Sequence, residues 1–157
     1  MFPLRVRSHY SLLKGTASPR QLCRRARQLG YPGLALTDRD NLCGLWAFLR
    51  ACGEEGLRPL VGAEVSQPGC ERVVVCLVRD DEGYANLCRI LTRRHCHPGF
   101  DLAAEVPPLA AGLFLLCRDH ERLAHYRRLG LSVAADLGPL PGAAARQLRL
   151  FAQRHDI

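Results

Sequence analysis

Three short apolar segments, each breaking off into polar or charged residues, constrain this chain most. They are Leu4-Arg-Val-Arg-Ser-His-Tyr-Ser-Leu-Leu-Lys-Gly15, Leu34-Ala-Leu-Thr-Asp-Arg-Asp-Asn-Leu-Cys-Gly44 and Pro59-Leu-Val-Gly-Ala-Glu-Val65. Each reads as a strand whose C-terminal end carries the chemistry. In parallel α/β sheets and barrels those ends converge and build the site. Residues far apart in sequence are thereby expected to meet in space.

Helical signals separate the strands. Phe2–Arg7 reads as the first strand. Ser18-Pro19 supplies an N-cap and a first helical residue, Leu22, Ala26 and Leu29 share a face, and Gly30 ends the helix. Gly33–Leu36 is short and apolar, as a fully buried strand is. Asp40–Cys52 reads as a helix with Leu42, Leu45, Trp46 and Leu49 inward, closed by Gly53 and Gly56. Arg58–Val65 is the third strand, with Gly62 where another backbone comes close. Glu71–Val78 is the fourth, a helix begins at Gly83, and His95–Pro108 reads as loop. Gly112–Cys117 and Leu131–Leu137 flank a helix over Asp119–Leu129. Gly138–Gly142 reads as a turn and Ala143–Arg154 as a last amphipathic helix. Strands alternating with helices predict an α/β fold built on a parallel sheet, which right-handed crossovers curl.

At 157 residues the chain is long enough for one domain with a core, and its 48% hydrophobic content argues against disorder. No apolar run approaches the ~20 residues that span a bilayer. Arg5 and Arg7 interrupt the only apolar N-terminal stretch, so no signal peptide is read and the cytoplasm is expected. The eight cysteines form no Cys-x-x-Cys pair, and several sit among apolar neighbours, as buried free thiols do in a reducing compartment. A net charge of +7, carried by 22 basic residues of which only Lys14 is lysine, fits direct contact with nucleic acid. It fits an arginine-rich composition equally well, and no DNA- or RNA-reading motif accompanies it.

The three opening segments resemble the PHP (polymerase and histidinol phosphatase) domain in the version found at the N-terminus of the bacterial DNA polymerase III alpha subunit. That version opens His-x-His-Ser-x-Tyr-Ser-Leu-Leu-x-Gly, continues Leu-Thr-Asp-His-x-Asn-Leu-x-Gly, then Gly-x-Glu. Gly83-Tyr84-Ala85-Asn86-Leu87 matches a further segment of it. The resemblance implies a distorted, partial (βα) barrel over residues 1–157, with about six mostly parallel strands and helices outside. The family's last strand, carrying Asp-x-His, is missing, because the sequence stops at Ile157 where it is expected.

The resemblance also implies which residues stand at the family's metal-ligand positions. Arg5 and Arg7 replace the two opening histidines, Arg39 replaces the histidine after Asp38, and Arg72 stands where metal-binding members carry another. Asp38 and Glu64 are retained. His9, His95 and His97 are candidate rim positions. Active members hold two or three divalent metals there to activate water on a phosphoester. Guanidinium offers no lone pair and stays protonated, so it cannot replace imidazole as a ligand. Three readings follow: an ion-pair network in place of the metals, an arginine-lined anion pocket, or a single metal on Asp38 and Glu64.

The expected role is therefore structural support and partner docking in a polymerase III alpha chain, for replication or error-prone synthesis, with no catalytic residues and no cofactor in this domain. Its partners are the remainder of the polymerase chain and a proofreading or other replisome subunit. The rival is a phosphoesterase or 3′–5′ exonuclease using zinc or manganese.

Overall fold

The computed structural model describes residues 1–138 and 140–157. Five strands form one sheet in the order β1 (Gly33–Arg39), β2 (Arg58–Ser66), β3 (Val73–Val78), β4 (Leu113–Cys117) and β5 (Val133–Ala135). The β1–β2 and β4–β5 pairs are parallel, whereas β2–β3 and β3–β4 are antiparallel. Four strands thus run one way and β3 runs against them, a mixed sheet rather than the predicted mostly parallel one. The cause lies in the connections. Residues 67–72 are too few for a crossover, so β3 must turn back on β2. Beyond β3, α3 (Asp81–Cys96) runs outward. The chain returns through α4 (Leu102–Glu105) and a 3₁₀ turn at Pro107–Leu109, which starts β4 beside the end of β3.

The expected sixth strand is not formed. Residues 2–7 run along β1 with one ladder bridge, Val6 to Leu36. Two backbone bonds accompany it, from Ala35 N to Pro3 O and from Thr37 N to Val6 O. Pro3 has no N–H to give, so this segment is a strap along the edge of β1. Among the described residues the sheet is open, without the barrel closure that the resemblance implies.

Among the described residues, six helices cover one face. Helix α1 (Pro19–Gln28) begins with a complete capping box between Ser18 and Gln21. It packs with α2 (Leu45–Glu55) over β1, burying Cys23, Ala26, Leu34, Leu36, Phe48 and Cys52. Leu29 is exposed, because the buried stripe of α1 runs through Pro19, Cys23 and Ala26. Helix α2 starts later than expected, since Asp40 adopts a left-handed backbone (φ 56°) that no helix interior allows. Its inward residues are Leu45, Phe48, Ala51 and Cys52, and Trp46 lies 79% exposed. Helices α3, α5 (His120–Arg128) and α6 (Gly142–Arg154) cover β2–β5 around Val65, Val74, Leu87, Ile90, Leu115, Leu123 and Tyr126. The stretch 95–108, expected as loop, contains the end of α3, all of α4 and the 3₁₀ turn. The turn expected over 138–142 includes Pro139, which lies outside the described residues. Half of the eight cysteines are buried, but Cys43 and Cys96 are exposed.

Two glycines mark close backbone approaches. A Cβ on Gly62 comes within 2.7 Å of the Cys76 carbonyl oxygen, and one on Gly83 within 1.9 Å of the Gly112 carbonyl oxygen. Gly83 also donates its N–H to Asp80, the N-cap of α3 (2.8 Å), and Asn86 donates to Ala111 O (3.0 Å), so the helix start is locked onto the entry to β4. Gly83→Ala is expected to destabilise the fold by at least ~1–3 kcal/mol, the range for overpacking. Denaturant titration should show a lower midpoint with an unchanged m value.

Candidate functional site

Because β3 is reversed, the C-terminal ends of β1, β2, β4 and β5 share an edge with the start of β3. Side chains alternate between faces along a strand, and this divides the edge in two. Arg39 lies opposite Glu64 in the register, and Asp38 lies opposite Ala63. Ala63 points into the helix-covered core. Asp38 shares that outer face, whereas Glu64 and Arg39 point to the inner one.

On the inner face Glu64 is fully buried and receives two arginine forks. Arg7 donates from Nε (2.6 Å) and Nη2 (2.8 Å), and Arg5 from Nε (2.8 Å) and Nη2 (3.2 Å), to the two carboxylate oxygens. Both arginines come from the strap, two residues apart and so on one side of an extended backbone. Arg5 also reaches Asp136, just past β5, which Arg118 at the end of β4 grips from Nε at 2.9 Å. Burial alone raises the Glu64 carboxyl, but hydrogen bonds and charge from Arg7 and Arg5 outweigh it and hold it below the ordinary carboxylate range. At Asp136 burial is likewise outweighed, by the Gly138 N–H and by Arg118 and Arg5.

On the outer face Asp38 is satisfied without any arginine. It accepts from Ser8 N (2.7 Å), Ser8 Oγ (2.7 Å) and Ser11 Oγ (2.6 Å). The Ser8-x-x-Ser11 turn thus closes over the end of β1, and Ser11 Oγ also accepts from Arg39 N at 3.0 Å. Next to it, Asp40 accepts from Ser66 N and Oγ (2.7 and 2.6 Å) and faces Arg94 of α3 at 3.5 Å.

The sequence-derived positions therefore separate. Arg5, Arg7 and Glu64 meet. Asp38 does not join them. Arg39 turns to the exposed Glu71 (3.3 Å) and to Asp40 (4.0 Å). Arg72 stands just before β3 and is exposed. His9 is exposed and lies against Tyr10, the two rings tilted by 50° with their centroids 4.5 Å apart. His95 Nε2 lies 2.6 Å from the Asp40 carbonyl oxygen, and His97 faces Glu105 at 3.9 Å. Neither reaches Glu64. Arg118, Asp136 and Asp40 were not singled out by motif. The signal was present, since Leu116-Cys117-Arg118 and Ala134-Ala135-Asp136 are also apolar strands ending in charge.

A metal cluster does not fit these residues. Both oxygens of Glu64 are taken by guanidinium groups, those of Asp38 by two serines and a backbone N–H, and the two carboxylates face opposite ways. Among the described residues no three His, Cys, Asp or Glu side chains converge to hold an ion.

The family model described as PHP domain matches residues 3–151. This chain is a PHP domain, a mixed α/β fold with five strands and six helices among the described residues. It is 42% identical over 101 residues to the error-prone DNA polymerase of Anaeromyxobacter dehalogenans (strain 2CP-C), covering 62% of this chain and 9% of that one. Identity to the error-prone DNA polymerase of Symbiobacterium thermophilum is 35% over 120 residues, covering 76% and 10%. To the DNA polymerase III subunit alpha of Escherichia coli K12 it is 36% over 98 residues, covering 59% and 8%. The chain thus matches about a tenth of the length of these polymerases. Among solved structures, an amidohydrolase from Chromobacterium violaceum, with bound sulfate and no metal, superposes with a TM-score of 0.70 at 16% identity. A protein of Bifidobacterium adolescentis assigned as a metal-dependent phosphoesterase gives 0.67 at 15%. Both alignments cover 99% of this chain and 84% of the other.

Glu64→Gln is expected to cost about 3–5 kcal/mol, because it leaves two guanidinium groups facing a neutral amide. Arg7→Ala should cost less, about 1.5–3 kcal/mol, since Arg5 still pairs Glu64. The double variant should cost less than the sum. The depressed carboxyls set the sign with pH. Their contribution is complete above the ordinary carboxylate values near ~4 and is lost as pH falls through the lower folded-state values. Acid titration of stability should therefore drop less steeply for Glu64→Gln than for the parent.

Proposed function

We propose that this chain is the N-terminal PHP domain of a polymerase III alpha-type DNA polymerase, and that it supports the polymerase and docks partners without hydrolysing phosphoesters. One observation carries the non-hydrolytic part: Arg5 and Arg7, at positions where the family's metal-binding members place histidine, occupy both oxygens of Glu64. Arg39 and Arg72 replace two further histidines. In this reading Arg5, Arg7, Asp38, Arg39, Glu64 and Arg72 are former metal-site positions, and arginine charge stands in for the metal ions.

The similarity to error-prone and replicative polymerases, at 35–42% identity, supports the polymerase part. In this reading the chemistry of DNA synthesis belongs to other domains of the polymerase. The inner sheet face leaves Leu60, Phe114 and Ala134 only partly buried, as expected if this sheet is part of a PHP barrel. The exposed side chains of Leu12, Leu13 and Trp46 are apolar surface of the kind that contact with the rest of a polymerase, or with a proofreading subunit, covers. The +7 charge suits work beside DNA in the cytoplasm. No described helix is long and apolar enough to cross a membrane.

Elemental analysis of the purified chain should find less than one equivalent of zinc, manganese or iron, and added manganese should elicit no phosphatase or exonuclease activity. Two or more bound transition metals per chain, or turnover abolished by Asp38→Asn, would favour the phosphoesterase or exonuclease instead. An antibody against this domain should detect, in extracts of the source cells, a polypeptide several-fold longer than 157 residues. Detection of a chain of the domain's own size alone would refute the polymerase reading.

A further inference from the structure

The arginines at the sheet edge exceed what the carboxylates there can neutralise. A cavity of about 430 Å³ opens at the edge formed by the strand ends, between the inner arginines and the start of α5, and is walled by Arg5, Arg7, Arg39, Arg72, Arg118 and Arg122, with Lys14 also lining it. Only two carboxylates, Glu71 and Asp119, line it with them. A second hollow of about 400 Å³ shares Arg5, Arg7, Lys14 and Arg118. Glu64 and Asp136 lie behind Arg5, Arg7 and Arg118 and are consumed by them. Glu71 meets Lys14 at 3.6 Å and Arg39 at 3.3 Å, but it is 82% exposed, where such pairs hold weakly. Even counting all four carboxylates, three positive charges remain without a counterpart.

Arg122 shows where the surplus is concentrated. It is 93% buried, at 7% relative exposure, and forms part of the cavity wall. Its Nε and Nη1 have no hydrogen-bond partner among the described residues. Asp119, one turn earlier, spends Oδ1 on the Arg122 backbone N–H (2.9 Å) and does not pair with the guanidinium. A buried charge with unmet donors is costly. An oxyanion in the cavity that Arg122 helps to wall would offset that charge. Arg72 is exposed and enters none of the ion pairs described above, so its guanidinium is also free to bind.

We propose that this cavity is a metal-independent binding site for a phosphoryl dianion, carried by free phosphate or by the terminal phosphate of a nucleotide, with Arg72 and Arg118 as its principal donors and the buried charge of Arg122 behind them. Planar guanidinium forks match phosphate oxygens in pairs, and the convergence of strand ends from the whole sheet presents them from several sides. Glu64 and Asp136 aim the inner arginines, and the anion takes the charge they leave. This extends the metal-free reading of the site and rests on it.

The test is thermal melting of the chain in EDTA, with inorganic phosphate titrated against chloride of matched ionic strength. Phosphate should stabilise the parent, and the effect should grow with the logarithm of concentration above saturation, as site binding requires. Arg72→Ala should weaken the phosphate response about tenfold, the equivalent of one charge-assisted contact. Arg122→Met should melt higher than the parent in chloride and lose the phosphate response. Arg50→Ala, which removes an exposed charge on α2 (84% exposed), should retain it. A parent that phosphate stabilises no more than chloride does, or an equal response in all four proteins, overturns the proposal.

Adding manganese or zinc separates the two readings. Stabilisation by phosphate that appears only with metal overturns both. Its absence with and without metal overturns the anion site and leaves the metal-free reading standing. A 5′-phosphorylated trinucleotide that stabilises where its unphosphorylated form does not assigns the phosphoryl group to a nucleotide, and stabilisation by inorganic phosphate alone assigns it to the free ion. Equal stabilisation by the phosphorylated and unphosphorylated trinucleotides overturns the site, since ordinary backbone charge would then suffice.

Discussion

Glu64 is the carboxylate around which this domain is arranged. It sits at the end of the second strand, fully buried, in a position that is costly for an ionised group without partners. Two bidentate arginines supply those partners. Both come from a strap that makes one ladder bridge to the sheet. Holding the charge on Glu64 and holding the N-terminal segment in place are therefore one interaction. Through Arg5 the same network reaches Asp136, and through Asp136 it reaches Arg118, so that the ends of β2, β4 and β5 are linked by side chains rather than by further strand pairing.

The pleat of β1 and β2 explains why the two acids of the motif segments have different fates. Asp38 and Glu64 lie one register step out of phase, so they face opposite sides of the sheet. Asp38 is enclosed by serines of the Ser8–Ser11 turn and works as a structural acceptor. Glu64 meets the arginines. The hydroxyl-bonded acid needs no counter-ion in contact, and the arginine-bonded one has two. This division gathers the strand-end arginines on the side of Glu64 and leaves Asp38 to hydroxyl and backbone donors. The surface ion pairs between α1 and α2, Arg20 with Glu54 at 3.6 Å and Arg24 with Glu55 at 3.9 Å, belong to the outer layer and contribute little.

Much of this could be read from the sequence. The order of apolar segments ending in charge placed Arg5, Arg7 and Glu64 at one edge, and Ser18-Pro19 and Gly30 bounded α1. Three features were hidden for physical reasons. The direction of β3 depends on the length of the connection before it, not on its own apolar pattern. The segment Phe2–Arg7 has strand composition, but Pro3 lacks a donor and β1 offers only its edge. The assignment of Asp38 to serines needed the register of β1 against β2, which a one-residue slip would invert. Trp46 was misplaced because the buried stripe of α2 runs through Leu45, Phe48, Ala51 and Cys52, while Leu42, which suggested a different stripe, precedes the helix. Arg118 and Asp136 followed the same strand-end rule as the others and needed only its wider application.

The contact between Arg5 and Asp136 joins residues 131 positions apart in the sequence, and that between Arg7 and Glu64 joins residues 57 apart. Loop closure over such separations carries a larger entropic cost than forming local helices or pairing neighbouring strands. During synthesis the N-terminal arginines emerge long before either acid, and Asp136 emerges only after every strand of the sheet. The pair of Arg7 with Glu64 needs only the strap and the first two strands, whereas the complete network, with Arg5 and Arg118 on Asp136, needs the strap, the middle hairpin and the last strand together.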